Sequence, residues 1–114
     1  MTKESVLCWL VLVILCSAPP AWAEVPANAV WIDVRSPTEY ASGHLQQATL
    51  IPFDGIEAGV AQLQLSKDTP IYLYCAVGGR AAMAKKRLEF LNYNNVTNAG
   101  GLEDARKLSG DPQP

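Results

Sequence analysis

Cysteine and histidine are scarce, with three of the first and one of the second among 114 residues. Two of the cysteines, Cys8 and Cys16, fall in an N-terminal apolar stretch that reads as a removable segment. That leaves Cys75 alone in the folded chain, which excludes a C-x-x-C dithiol centre and a multi-cysteine zinc site. Basic runs are missing as well. Nine Lys and Arg are scattered among eleven Asp and Glu, for a net charge of −2, a balance that argues against a nucleic-acid partner. There are no internal repeats and no low-complexity tracts, and the length suits one domain rather than two. The longest apolar run, Val6 to Cys16, falls short of the roughly 20 residues a membrane span needs.

That run is followed by Ser17-Ala18-Pro19-Pro20 and then by Ala21-Trp22-Ala23, with small residues at the two positions a signal peptidase reads. The pattern predicts a secretory signal peptide over 1–23, cleaved after Ala23, and no stable membrane anchor afterwards. Leu15 before Cys16 argues against lipid attachment there. The mature domain then covers 24–110, with 111–114 as a frayed tail. A domain of this size buries about 60–65% of the surface its unfolded chain exposes. Exported proteins usually pair their cysteines. A single leftover thiol is therefore either an intermolecular partner or a reactive group.

Along the mature chain, short β-rich runs alternate with helical patterns. Val30–Val34 reads as a strand. Ser36-Pro37-Thr38-Glu39 then carries a capping box with proline at the first helical position, and the helix it starts ends at Gly43. Thr49–Ile51 is a second strand. Ile56–Leu65 has helical spacing, with Ile56, Val60 and Leu63 as its apolar positions. Ile71–Tyr74 is a third strand with Cys75 at its C-terminal end. Ala76–Arg80 is a loop marked by paired glycines, and Ala81–Leu91 is a helix with Ala81, Ala84, Leu88 and Leu91 on one face. Val96–Asn98 is a fourth strand, and Leu102–Leu108 a last helix. The alternation predicts an α/β domain whose small, mostly parallel sheet is flanked by helices on both faces. In such sheets ligands bind beyond the carboxyl ends of the strands, where Cys75 lies.

Strand, cysteine, glycine-rich loop and helix together suit a thiolate. Unperturbed, a cysteine is mostly protonated at neutral pH. The free N–H groups and positive end of the following helix point back at the loop. Successive amides of Ala76, Val77, Gly78, Gly79 and Arg80 can curl into an anion-binding concavity. Arg80 adds fixed charge, either as a ligand for substrate or as a structural ion-pair partner. All of these favour a negative, exposed sulfur. His44 is far from Cys75 in sequence, and a thiol of lowered pKa needs no separate base. Asp33 and Arg35 read as structural, with Arg35 ordering loops at the strand ends. Glu39 reads as a capping residue in preference to a partner of Arg80.

Cys75-Ala-Val-Gly-Gly-Arg80 resembles the C-x-x-G-x-R active loop of rhodanese domains. Three further segments resemble that family in order: Asp33-Val-Arg-Ser-Pro-Thr-Glu39-Tyr40, Gly43-His-Leu-Gln-Gln-Ala-Thr-Leu-Ile-Pro52 and Asn98-Ala-Gly-Gly-Leu102. With its signal segment, the chain is most similar to the periplasmic phage-shock sulfurtransferase group. It departs from the family pattern at Gln47, where glycine is usual, and at Leu102, where many members have tryptophan. The resemblance implies a periplasmic thiosulfate sulfurtransferase with Cys75 as nucleophile and residues 76–80 as the substrate-binding loop. Thiosulfate would be the donor, cyanide or a thiol the acceptor, with no metal or organic cofactor. Two other readings stand beside it. Phosphatases and arsenate reductases use a related loop with five residues between cysteine and arginine, against four here. A non-enzymatic module would only carry persulfide for a partner.

Overall fold

The computed structural model describes residues 25–111. The signal peptide expected over 1–23 and the end of the tail, 112–114, lie outside them. Four strands form one parallel sheet: β1 (Val30–Asp33), β2 (Thr49–Leu50), β3 (Ile71–Cys75) and β4 (Val96–Gly101), in the order β2-β1-β3-β4. Four helices connect or follow them: α1 (Pro37–Ala41), α2 (Ile56–Gln62), α3 (Gly79–Phe90) and α4 (Leu102–Ser109). A short 3₁₀ turn, Phe53–Gly55, precedes α2.

This order explains why both faces are covered. The chain steps from β1 to β2 in one direction, then crosses back over β1 to β3 and on to β4. Right-handed crossovers place helices reached by opposite steps on opposite faces. α2 and α3 accordingly share one face. There Ile56, Val60, Ala81, Ala84 and Leu88 pack on Ile32, Val34, Ile71, Leu73 and Cys75. On the other face Ala105 of α4, with Leu45 and Ala48, packs on Trp31, Tyr74 and Ala99. The period of two in β3 divides its side chains between these cores: Ile71, Leu73 and Cys75 go to one and Tyr72 and Tyr74 to the other. The sheet is thus an α/β arrangement with every strand parallel, as the alternation predicts.

Several boundaries differ from the sequence expectation. α3 begins at Gly79, two residues early, because Gly78 caps it with φ +108°. The helix ends before Leu91, which stays 37% exposed and leaves the predicted apolar face. α2 stops at Gln62 instead of Leu65. β4 runs on to Gly101 through an irregularity: Leu73 pairs with Asn98 and Cys75 with Gly101, so β4 spends three steps where β3 spends two. A bulge of this kind bends the strand locally, and here it does so beside Cys75.

Candidate active site

The reversal of strand order lies between β1 and β3, and in open α/β sheets the crevice at such a switch point is where ligands bind. Two groups occupy its carboxyl edge. At the end of β1, Asp33 is fully buried and Arg35 nearly so. The Arg35 Nε donates to Asp33 Oδ1 at 3.0 Å and Nη2 to Oδ2 at 2.8 Å. Nη2 also donates to the Gly43 carbonyl at 2.6 Å, tying the end of β1 to the loop after α1. The hydrogen bond that Arg35 donates to Asp33 raises its pKa against the opposing effect of burial. Tyr74, on the same face, accepts the Leu45 N–H at 3.0 Å, and burial raises its pKa.

At the end of β3 stands Cys75. The Gly78 N–H donates to its Sγ at 2.9 Å. Burial is the largest single influence on the thiol and pushes its pKa up. The backbone N–H groups of Ala81, Gly78, Val77 and Arg80 act together in the other direction, and the net result is a lowered value. The local reason is helix geometry. α3 starts at Gly79, so the N–H groups of Arg80 and Ala81 have no partner within the helix. They face the sulfur instead. Only glycine tolerates the backbone of Gly78 without strain, and that conformation turns its N–H inward.

Of the residues expected in the loop, Val77, Gly78 and Arg80 direct amides at the sulfur, and Ala81, one residue further on, joins them. Ala76, Val77 and Gly79 are exposed, Val77 to 89%. Two expectations need correction. Cys75 is not exposed: it keeps 1% of its surface, because its place on β3 points it with Ile71 and Leu73 toward α3. Its sulfur is nonetheless bounded by amides on the loop side. Glu39, read as a cap, is both cap and partner. It completes the capping box with Ser36 and also receives Arg80 bidentately, Nη1 to Oε1 at 2.8 Å and Nη2 to Oε2 at 2.9 Å. The Arg80 bond, followed by the Ser36 backbone bond, lowers the Glu39 pKa to about 2. Arg80 therefore contributes its amide to the sulfur while its guanidinium is engaged elsewhere. Glu39 and Arg80 are 41 positions apart, a separation at which no local pattern signals a pair.

His44 takes no part in this cluster. Its ring stacks on Tyr40 at 3.6 Å, and Nδ1 lies 2.7 Å from the Leu45 carbonyl, to which an N–H on that atom donates. A cleft of about 360 Å³ opens beside the loop, lined by residues that include Val34, Arg35, Pro37, Pro52, Phe53 and Arg80. Behind the loop runs the bulged end of β4. Asn98 Nδ2 donates to the Gly78 carbonyl at 3.0 Å, and Asn98 Oδ1 accepts from the Gly100 N–H at 2.9 Å. Gly101 comes so close to the Ala76 carbonyl that a side chain there would collide with it. The sequence reading named these residues only as a motif and gave them no role.

A parallel sheet with a cysteine in an amide-lined loop at its switch point is the arrangement of the rhodanese fold, and the chain belongs to the rhodanese-like domain family, whose model matches residues 19–107. Among curated proteins it is similar to thiosulfate sulfurtransferase PspE of Escherichia coli, with 38% identity over 74 residues, covering 65% of this chain and 71% of that one. It is also 34% identical over 93 residues to an Escherichia coli tRNA uridine(34) hydroxylase, of whose length the match covers 27%. Among solved structures, a rhodanese with anions from Escherichia coli superposes with TM-score 0.64 and 37% identity, covering 67% of this chain and 89% of that one. A rhodanese-like domain protein from Staphylococcus aureus does so with TM-score 0.59 and 27% identity, over 82% of each chain.

Proposed function

We propose that this member of the rhodanese sulfurtransferase superfamily moves sulfane sulfur from thiosulfate to a thiophilic acceptor, cyanide or a thiol, through a persulfide on Cys75. The observation that carries this reading is the Gly78 N–H donated to the Cys75 sulfur at 2.9 Å, with the backbone amides of Ala81, Val77 and Arg80 adding to it in lowering the thiol pKa. Such donors stabilise a thiolate before reaction and an anionic persulfide after it, without having to reorganise between the two.

In the first half-reaction the Cys75 thiolate attacks the outer sulfur of thiosulfate. A new S–S bond forms, the bond to the sulfonate sulfur breaks, and sulfite leaves with its electron pair. Cys–S⁻ and thiosulfate thus become Cys–S–S⁻ and sulfite, with total charge unchanged. In the second half-reaction the acceptor attacks the outer persulfide sulfur and Cys75 departs as thiolate. No proton has to move when cyanide is the acceptor, which fits a site with no base beside the sulfur among the groups described. Two half-reactions on one nucleophile imply ping-pong kinetics. The engagement of the Arg80 guanidinium by Glu39 favours this reading over phosphoryl chemistry, which would need that cation facing the anion.

Intact mass after thiosulfate treatment is expected to rise by one sulfur atom, and Cys75→Ser to stay unmodified. Cyanide added to the loaded protein should release thiocyanate and restore the original mass. Loss of the reading would follow from an unmodified wild-type protein that also makes no thiocyanate. Sulfur accepted only from a protein donor would mark a carrier instead. On the pattern of Val6–Ala23 we further propose export to the periplasm. The mature protein recovered from that compartment should then begin at Glu24.

A further inference from the structure

We infer that Asn98 is a positioning residue for the sulfur site: its side-chain amide pins the Gly78–Gly79 peptide so that the Gly78 carbonyl stays turned away from Cys75. This rests on the reading of Cys75 as the reacting thiolate. The Gly78 carbonyl is held by two donors, the Ala82 N–H at 2.9 Å and Asn98 Nδ2 at 3.0 Å. The first belongs to the opening turn of α3 and the second comes from the bulged end of β4. Glycine at φ +108° has no Cβ to resist rotation of its flanking peptides. A rotation about that peptide would swing the carbonyl oxygen toward the sulfur. A partial negative charge would then replace the positive lining made by the amides of Val77, Gly78, Arg80 and Ala81.

The orientation of the Asn98 amide follows from its two partners. Its oxygen takes the Gly100 N–H and its nitrogen serves the Gly78 carbonyl. The reversed placement would set oxygen against oxygen and N–H against N–H. One side chain thereby couples two jobs. The oxygen shapes the turn into α4, and the nitrogen reaches across 20 positions to the active loop. The hydrogen bonds of the Asn98 side chain go to the Gly78 carbonyl and the Gly100 N–H, so its effect on the sulfur passes through the backbone.

Two neutral substitutions separate the jobs. Asn98→Ala removes both bonds. Asn98→Ser leaves an oxygen able to accept from the residue two positions on, as serine does in comparable turns, but cannot span to Gly78. The rate of Cys75 alkylation by iodoacetamide is measured against pH for the wild-type protein and both variants, with circular dichroism to verify the fold. Half-maximal reactivity of the wild type is expected below the ordinary thiol value of about 8.5. Both variants should titrate about half a unit to one unit higher, the size expected when one hydrogen bond of the lining is weakened. Sulfur loading at neutral pH should slow correspondingly. Profiles identical to wild type in both variants would overturn the inference. So would a shift in Asn98→Ala that Asn98→Ser restores, since the effect would then belong to the turn alone. A wild-type thiol that is itself unreactive would count against the function proposed for Cys75, a separate outcome.

Discussion

At the scale of single residues, the site depends on how charge is distributed between backbone and side chains. The sequence leaves Arg80 open between a substrate ligand and an ion-pair partner; in the structure both of its terminal nitrogens are on Glu39, and the sulfur is served by amides. This pair makes a pH prediction. Glu39 falls to about 2 in the folded protein from an ordinary value near 4.5. A carboxylate of lowered pKa stabilises the fold fully above its unfolded value and loses that contribution as pH falls through the folded one. Urea midpoints of wild type and Glu39→Gln should therefore differ at neutral pH and converge between pH 4.5 and pH 2. Both side chains are about a third exposed, so the gap at neutral pH should be modest. A gap that persists unchanged at the acid end would show that glutamine disturbs the helix cap and not the ion pair.

At the scale of elements, the loop after Cys75 is a junction held from three sides. β3 delivers the cysteine, α3 supplies orphan N–H groups, and the bulged end of β4 closes the back. The last contact leaves no room for a side chain at Gly101, where a methyl group would meet the Ala76 carbonyl. Gly101→Ala is expected to cost about 1–3 kcal/mol, as overpacking does, and to displace the loop enough to slow sulfur loading. Chemical denaturation and the thiosulfate mass assay check the two halves of that expectation. Full stability together with full loading would mean that the loop moves aside freely. α3 is anchored by Leu88, which is fully buried in the core that also holds Cys75. Truncation of such a residue usually costs about 2–5 kcal/mol. Leu88→Ala should lower the urea midpoint accordingly.

At the scale of the molecule, the strand order creates the crevice and the buried Asp33–Arg35 pair stands at the end of β1 beside it. Arg35 links the end of β1 to Gly43, so the pair connects the sheet to the loop after α1. Removing one partner leaves the other charged inside the protein, which costs about 3–5 kcal/mol. Small domains hold only about 5–15 kcal/mol in total. Asp33→Ala is therefore expected to bring this domain close to unfolding, observable as a large fall in midpoint temperature. A fall of only a degree or two would mean that Arg35 finds water or another partner.

The sequence by itself determined the class of fold, the four strands, the helix start at Ser36 and the place of Cys75 at the end of a strand before a glycine-rich loop. These rest on local facts: alternation of apolar residues, a capping box within four positions, and a strand, thiol and paired glycines in succession. What it could not determine were relations between distant residues. Glu39 meeting Arg80, Asn98 reaching Gly78 and the burial of Cys75 all follow from how β1, β3 and β4 lie side by side. The expected exposed sulfur gave way for the same reason, because the pleat of β3 sends residue 75 inward with Ile71 and Leu73. Periodicity reports which face of an element is apolar, but only packing decides which side chains meet across the sheet edge.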